Sequence, residues 1–196
     1  MRNVLGAGGV STTVVLVLGI LAMAGEFRHG TITATLLAAP KRGQVVAAKM
    51  ATYALVGLAF SAVSSVITLA VALPWLAAKD VEVSLFDREV VLVAIGLLLG
   101  TALYGLLGVS VGSLIRNPAA AVGIALVWSF VIEAILVGLV PEVGRWLPGG
   151  AGQGLARTST TAGELLPMLG GGLLLAAYGL VFALVGSRFV VRRDIT

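Results

Sequence analysis

Charge is missing from long stretches of this chain, and that absence limits what it can fold into. Residues 3–25, 50–78, 90–115 and 165–187 hold no Asp, Glu, Lys or Arg, and residues 117–141 hold one, Glu133. A helix crosses a bilayer with roughly 20 apolar residues, so each stretch is long enough to span. Inside lipid every backbone N–H and C=O must find a partner within the chain, and a helix does this locally. Strand-like alternation is absent, which argues against a barrel. The expected fold is an all-α integral membrane protein, one transmembrane domain over residues 1–196. Five helices are expected at about 4–25, 50–77, 90–115, 118–140 and 166–187. Only 11% of the residues are charged, against about 25% in soluble domains, which excludes a water-soluble globular class. With no cysteine and only His29, the chain offers no disulfide framework, no thiolate chemistry and no multi-histidine metal site. No Ser/His/Asp set or carboxylate pair occurs at a place where it could act, so no enzyme, metal or cofactor is expected.

Orientation follows from the cations between the spans. Placing residues 26–49, the turn at 116–118 and the C-terminus on one side gathers Arg28, Lys41, Arg42, Lys49, Arg116, Arg188, Arg192 and Arg193 there. The opposite side keeps Arg2, Lys79, Arg88, Arg145 and Arg157, together with Asp80, Glu82, Asp87, Glu89, Glu142 and Glu164. The positive-inside rule makes the first side cytosolic. The expectation is a multi-pass protein of the plasma (cytoplasmic) membrane with its C-terminus in the cytosol. The net charge of +4 is then a topology signal, and no nucleic-acid partner is implied. Ala22-Met23-Ala24 has the form of a signal-peptidase site. The first run is longer than a signal peptide, however, and continues into polar sequence, so it is read as a span.

The polar segment at 26–43 stands apart from this apolar background. Ile32 and Leu36 lie four residues apart and share a helix face. Phe27 and Leu37 widen that apolar surface, and Pro40 ends the helix because it has no N–H to donate. Arg28, Lys41 and Arg42 put cations at both ends, and Glu26 is placed to pair with Arg28 or with a cation of a partner. The result is a short knob with an apolar ridge, suited to a groove on another protein. A basic loop lying on anionic lipid fits the composition as well, at ~1 kcal/mol for each cation near the surface.

Glu26-x-Arg28-His29-Gly30-Thr31-Ile32, followed by Leu36-Leu37, Pro40, Arg42 and Lys49, resembles the coupling-loop signature of type-2 ABC exporter permeases. The resemblance extends over nearly the whole chain. Arg116-Asn117-Pro118 is similar to that family's short cytosolic turn. Residues 141–165, with Arg145-Trp146-Leu147-Pro148, resemble its extracellular helical hairpin before the last span. It implies a transmembrane permease subunit that exports a hydrophobic or amphipathic substrate. Glu26, Arg28, Gly30, Thr31, Ile32, Leu36, Leu37, Pro40 and Arg42 would form the contact with a separate ABC ATPase subunit. The chain has no G-x-x-x-x-G-K-[ST] phosphate loop of its own. A second permease copy or homologue and membrane lipid are the other implied partners. The family has six spans, and only one apolar run precedes the coupling segment here, so a first span is expected to be missing. The alternative is a non-transporting membrane scaffold or immunity-type subunit whose basic loop binds lipid or a signalling partner.

Glu133 is the one acid well inside a span, and intramembrane acids are candidate functional sites. At ~1.5 Å per residue it lies about 25 Å from Arg116, near the opposite interface, which suits a structural partner or a solvated rim residue. Gly96-x-x-x-Gly100 and Gly108-x-x-x-Gly112 allow close helix approach. Ser61, Ser64, Ser65 and Thr68 either line a polar path or bond back to their own helix. Trp75 and Trp146 suit interface anchors and Trp128 suits packing. Pro141, Pro148 and the glycines that follow are expected to break the chain.

Overall fold

The computed structural model describes residues 8–29, 42–79, 87–115, 117–158 and 165–192. Among these residues the fold is all-helical, with no strand. The elements in order are α1 (Gly8–His29), α2 (Arg42–Ala77), α3 (Arg88–Leu114), α4 (Pro118–Val127), a π-helical turn (Trp128–Ile132), α5 (Glu133–Leu139), α6 (Pro141–Gly144), α7 (Pro148–Ala156) and α8 (Met168–Arg192). Five helical stretches are long and apolar enough to cross a membrane: Val10–Arg28, Gly43–Ala77, Arg88–Leu114, Pro118–Leu139 and Met168–Ser187. The fourth of these is made of α4, the π-turn and α5.

α2 is longer than the apolar stretch that announces it. It begins at Arg42 rather than near residue 50 and runs for 36 residues, about 54 Å at ~1.5 Å per residue. Lys49 ends the uncharged run but does not end the helix, because lysine is a good helix former. Pro74 lies inside α2 near its far end. The helix continues one more turn, with the Ala78 N–H bonding the Pro74 carbonyl at 3.0 Å. Pro118, by contrast, opens its helix. Asn117 caps that end, its side chain accepting from the Ala119 and Ala120 N–H groups at 3.0 and 3.3 Å, two of the donors that a helix start leaves unpaired.

α3 is the hub of the bundle, touching α1, α2, α4, α7 and α8. Its inward residues are mostly small, including Gly96, Thr101, Ala102, Gly105, Gly108, Ser110, Gly112 and Ser113. Larger Val91, Ile95 and Leu99 point out of the bundle. Lipid tails are as apolar as leucine, so no hydrophobic gain drives helices together, and association rests on close packing between small residues. The contact of α1 with α3 carries this furthest. A Cβ on Gly19 would lie 2.6 Å from the Gly105 oxygen and 2.9 Å from the Val109 nitrogen. A Cβ on Gly108 would run into the Leu16 carbonyl oxygen and come 3.2 Å from the Gly19 Cα. Gly108-x-x-x-Gly112 therefore faces α1. Gly96 instead meets the backbone of α7, where a Cβ would fall 2.7 Å from the Ala156 Cα. Gly100 meets only the Leu155 side chain, at an ordinary 3.8 Å.

Packing follows this framework. Leu16, Ile20, Ala24, Leu107, Ala121 and Ala125 form one buried cluster between α1, α3 and α4. Met23, Val46, Met50, Val109 and Ala183 form a second, joining α1, α2, α3 and α8. The hydroxyls named from the sequence divide. Thr68 bonds back to the Ser64 carbonyl at 2.8 Å, whereas the Ser64 hydroxyl reaches across to Ser11 of α1 at 2.8 Å.

Two glycine variants test the α1–α3 contact. Gly108→Ala is expected to lower stability by about 1–3 kcal/mol, the cost of overpacking a filled interface. Gly123→Ala, at a helical glycine whose would-be Cβ meets nothing within 4 Å, should leave stability unchanged or raise it by up to about 1 kcal/mol, the helix preference of alanine over glycine. Denaturant titration in detergent micelles reads both, and equal effects would mean that α1 does not sit against Gly108.

Candidate functional site

Besides the Ser11–Ser64 contact, two places built around a carboxylate interrupt the apolar bundle among the described residues. The first is where α1 leaves it and α2 enters. The Lys49 ammonium lies 2.7 Å from Glu26 Oε1 and also donates to the Ala22 carbonyl at 2.8 Å. The ends of α1 and α2 that flank residues 30–41 are thus pinned together by one side chain. Both partners are only partly exposed, at 19% and 23%, so the pair is less screened than a surface pair. Glu26 does not take Arg28 as its partner here. Residues two apart on a helix point different ways, and Arg28 is exposed. Phe27, expected to widen the apolar surface of the knob, packs instead against the buried cluster of Met23, Val46 and Met50.

Of the residues named for the coupling contact, Gly30, Thr31, Ile32, Leu36, Leu37 and Pro40 lie outside the described residues, as do His29's side chain, Lys41 and Arg116. Arg42 is the first residue of α2, and its side chain also lies outside them. Glu26 and Arg28 are the two members that the structure places.

The second polar place surrounds Glu133. Its side chain is 7% exposed, buried by the chain rather than open to water at a rim. The covering comes from residues 141–158, which fold back along the fourth span. Gly144 sits against Val137, and Glu133 Oε2 accepts the Gly149 N–H at 2.9 Å. From Leu139 down to Glu133 is about 9 Å at ~1.5 Å per residue, which sets the depth of this re-entrant segment. The Trp128 side chain lies beside the same carboxylate. These two residues are five apart, and the π-turn makes that spacing one turn, with the Glu133 N–H bonding the Trp128 carbonyl. An α-helix would bring four-apart residues together instead.

α7 then runs outward between α3 and α8. Its sequence, Pro-Gly-Gly-Ala-Gly-Gln-Gly-Leu-Ala, is poor helix material, because each interior glycine costs about 1 kcal/mol relative to alanine. Tertiary packing overrides that cost. Small residues let α7 lie close to α3 and α8, with Ala151, Leu155 and Leu175 buried between them. Pro148 occupies the first turn, where its missing N–H is harmless. Arg157 ends the helix in the left-handed region at φ 55° and lies 3.4 Å from Glu89 on α3. The glycines after Pro148 therefore form a helix rather than breaking the chain. Two tyrosines complete the place. Tyr104 of α3 donates to the Pro148 carbonyl at 2.9 Å, and Tyr178 of α8 donates to the Trp146 carbonyl at 2.9 Å. Neither tyrosine was singled out in the sequence, and no local signal marks them.

Among the described residues no group of three or more His, Cys, Asp or Glu could hold a metal ion. Five helices long and apolar enough to span, four of them packed around α3, are the build of a multi-pass membrane protein. No protein family, curated protein or solved structure matches the chain.

The Glu26–Lys49 pair is expected to show a coupling energy of about 0.5–1 kcal/mol in a double-mutant cycle of Glu26→Gln and Lys49→Met. The coupling should fall on going from low salt to about 1 M salt, where the screening length shrinks to ~3 Å. Unfolding titrations in micelles supply all four stabilities.

Proposed function

We propose that the chain is the transmembrane permease subunit of an ATP-driven ABC export system, moving a hydrophobic or amphipathic substrate out of the cytoplasm. Its energy would come from a separate ATPase subunit docked on residues 26–43, and a second permease copy or homologue would complete the path. In this reading the end of the bundle carrying Glu26, Lys49 and Asn117 faces the cytosol. Residues 141–165 then lie on the extracellular side, and the membrane is the plasma membrane. The supporting sequence feature is the resemblance of residues 26–49 to a coupling loop.

The single observation that carries the reading is the pin formed by Lys49 on Glu26 and Ala22. A knob pushed by an ATPase does work on the permease only if its stems transmit the push. Here both stems are tied together at the base of residues 30–41, and α1 is in backbone contact with α3. A push on that segment is thus delivered to α1, α2 and α3 together rather than absorbed in a loose loop. A basic strip that merely lies on lipid has no need of such a pin.

The test is co-purification of the tagged full chain in mild detergent. The expected result is retention of a subunit that carries a G-x-x-x-x-G-K-[ST] loop and hydrolyses ATP, identified by mass spectrometry. Its release is expected for the double variant Arg28→Glu, Arg42→Glu at unchanged yield of monodisperse chain. Retention by the variant would remove the coupling role from these cations, and absence of any ATPase with the parent chain would overturn the export reading. Orientation has its own readout: a fluorescent protein fused after Thr196 is expected to be shielded from protease in right-side-out cells.

A further inference from the structure

The polar bonds around residues 146–149 share a pattern. They come from three different spans, and all end on the main chain of the same four residues. Tyr178 of α8 donates to the Trp146 carbonyl, Tyr104 of α3 donates to the Pro148 carbonyl, and Glu133 of the fourth span accepts from the Gly149 N–H. Two of these main-chain groups need such partners. Gly149 lies in the first turn of α7, where N–H groups have no helical acceptor, and Trp146 precedes the cap, outside the helix ladder. The Tyr104 and Glu133 bonds are part-buried, where water competes poorly, and the Tyr178 bond is at an exposed position.

The segment is also bounded as a unit. It starts after Val140, which leaves helical geometry at φ −139° and ψ 84°, and ends at the left-handed Arg157. Its remaining contacts with α3 and α8 are close approaches of small residues, at Gly96 and Gly171, and an apolar cluster in which Ala151 and Leu155 pack with Leu103, Tyr104, Leu174 and Leu175. In lipid such packing carries no hydrophobic gain over exposure to acyl chains, so directional bonds weigh more in deciding whether an element stays docked.

We propose that residues 141–158 form a latched plug, a separately movable element held in the bundle by Tyr104, Glu133 and Tyr178. These three are positioning residues. None of the latch's bonds involves α1 or α2, and the rings of Tyr104 and Tyr178, which pack against the cluster of α1, α3 and α4, are kept when only the hydroxyl is removed. Released, α6 and α7 swing about Val140 and Arg157 and uncover the inward faces of α3 and α8. The Arg157–Glu89 pair stays near the hinge and limits the swing. The inference rests on the export reading only for what the plug closes.

Because the chain has no cysteine, single thiols report on the plug without background. Leu155→Cys places a thiol in α7 at a site that is 3% exposed, and Val109→Cys places one at the 0% exposed α1–α3 contact. The purified full chain in detergent is treated with N-ethylmaleimide and the labelling rate followed by mass spectrometry. In the Leu155→Cys chain, Tyr104→Phe is expected to raise the rate roughly fivefold, the effect of one lost hydrogen bond. Glu133→Gln, which keeps an acceptor oxygen but loses the charge, is expected to raise it less than Glu133→Ala. Combining Tyr104→Phe, Tyr178→Phe and Glu133→Ala gives the largest rise, while Val109→Cys in the same background stays protected. Equal deprotection of both thiols would mean that the segment is not separable, and an unchanged rate at residue 155 in the triple variant would mean that these bonds hold nothing; either overturns the proposal. No ATPase or cargo enters the measurement, so its failure leaves the export reading standing, and failure of the ATPase to co-purify leaves the latch standing.

Discussion

Backbone-to-backbone contact between α1 and α3 sets the geometry of the rest. With Gly19 against the Gly105 carbonyl and Gly108 against Leu16, the two helices lie too close for any side chain to stand between them. That closeness fixes their depth relative to each other. It also places Leu16 and Ile20 where α4 can pack through Ala121 and Ala125. A water-soluble bundle would bury its large aliphatics along such a seam. Here the closest approach is made at glycines, and Val91, Ile95 and Leu99 of α3 face outward, as expected where the surrounding solvent is itself hydrocarbon.

From that seam the two polar places acquire their meaning. At one end Lys49 holds the foot of α2 to the foot of α1, so the pair of stems and the hub form a single mechanical unit. Deeper in the bundle, Glu133 and the two tyrosines do something different, serving main-chain groups of a segment that belongs to no span. The first place joins spans to one another, and the second joins spans to an inserted element. The charged groups buried in the bundle serve these two tasks, and their cost in hydrocarbon is offset by the partners they find, Glu26 through Oε1 alone.

The spans were legible from the missing charges alone, because length and apolarity are what crossing a bilayer demands. The start of α2 was not, since Lys49 interrupts hydropathy without interrupting the backbone. Glu26 illustrates a constraint that the sequence did contain. Its spacing from Arg28 rules out a shared helix face, but that Lys49 is the partner depends on how the two stems pack, which spacing does not give. The burial of Glu133 was not legible. Counting along a helix puts it close to an interface, and only the return of residues 141–149 over it removes it from water. The same return explains why the glycines after Pro148 misled. Locally they break helices, but against α3 and α8 their lack of side chains is what lets a helix fit. Most of the coupling residues, Gly30 to Pro40, lie outside the described residues, so that part of the reading stands on the sequence.

The π-turn at Trp128–Ile132 also acts as a phase setting for the fourth span. A helix advances by about 100° per residue, so one surplus residue inside it rotates everything beyond by that amount relative to an uninterrupted helix. The half of the span before the turn is keyed to α1 and α3 through Ala121 and Ala125, and the half after it is keyed to the re-entrant segment through Glu133. Ala125 and Glu133 lie eight residues apart, about 80° around a regular helix, and the surplus residue takes back ~100°, so the two fall within about 20° of one face. The fourth span thus turns a single inward face to two successive neighbours, with its phase corrected at Trp128.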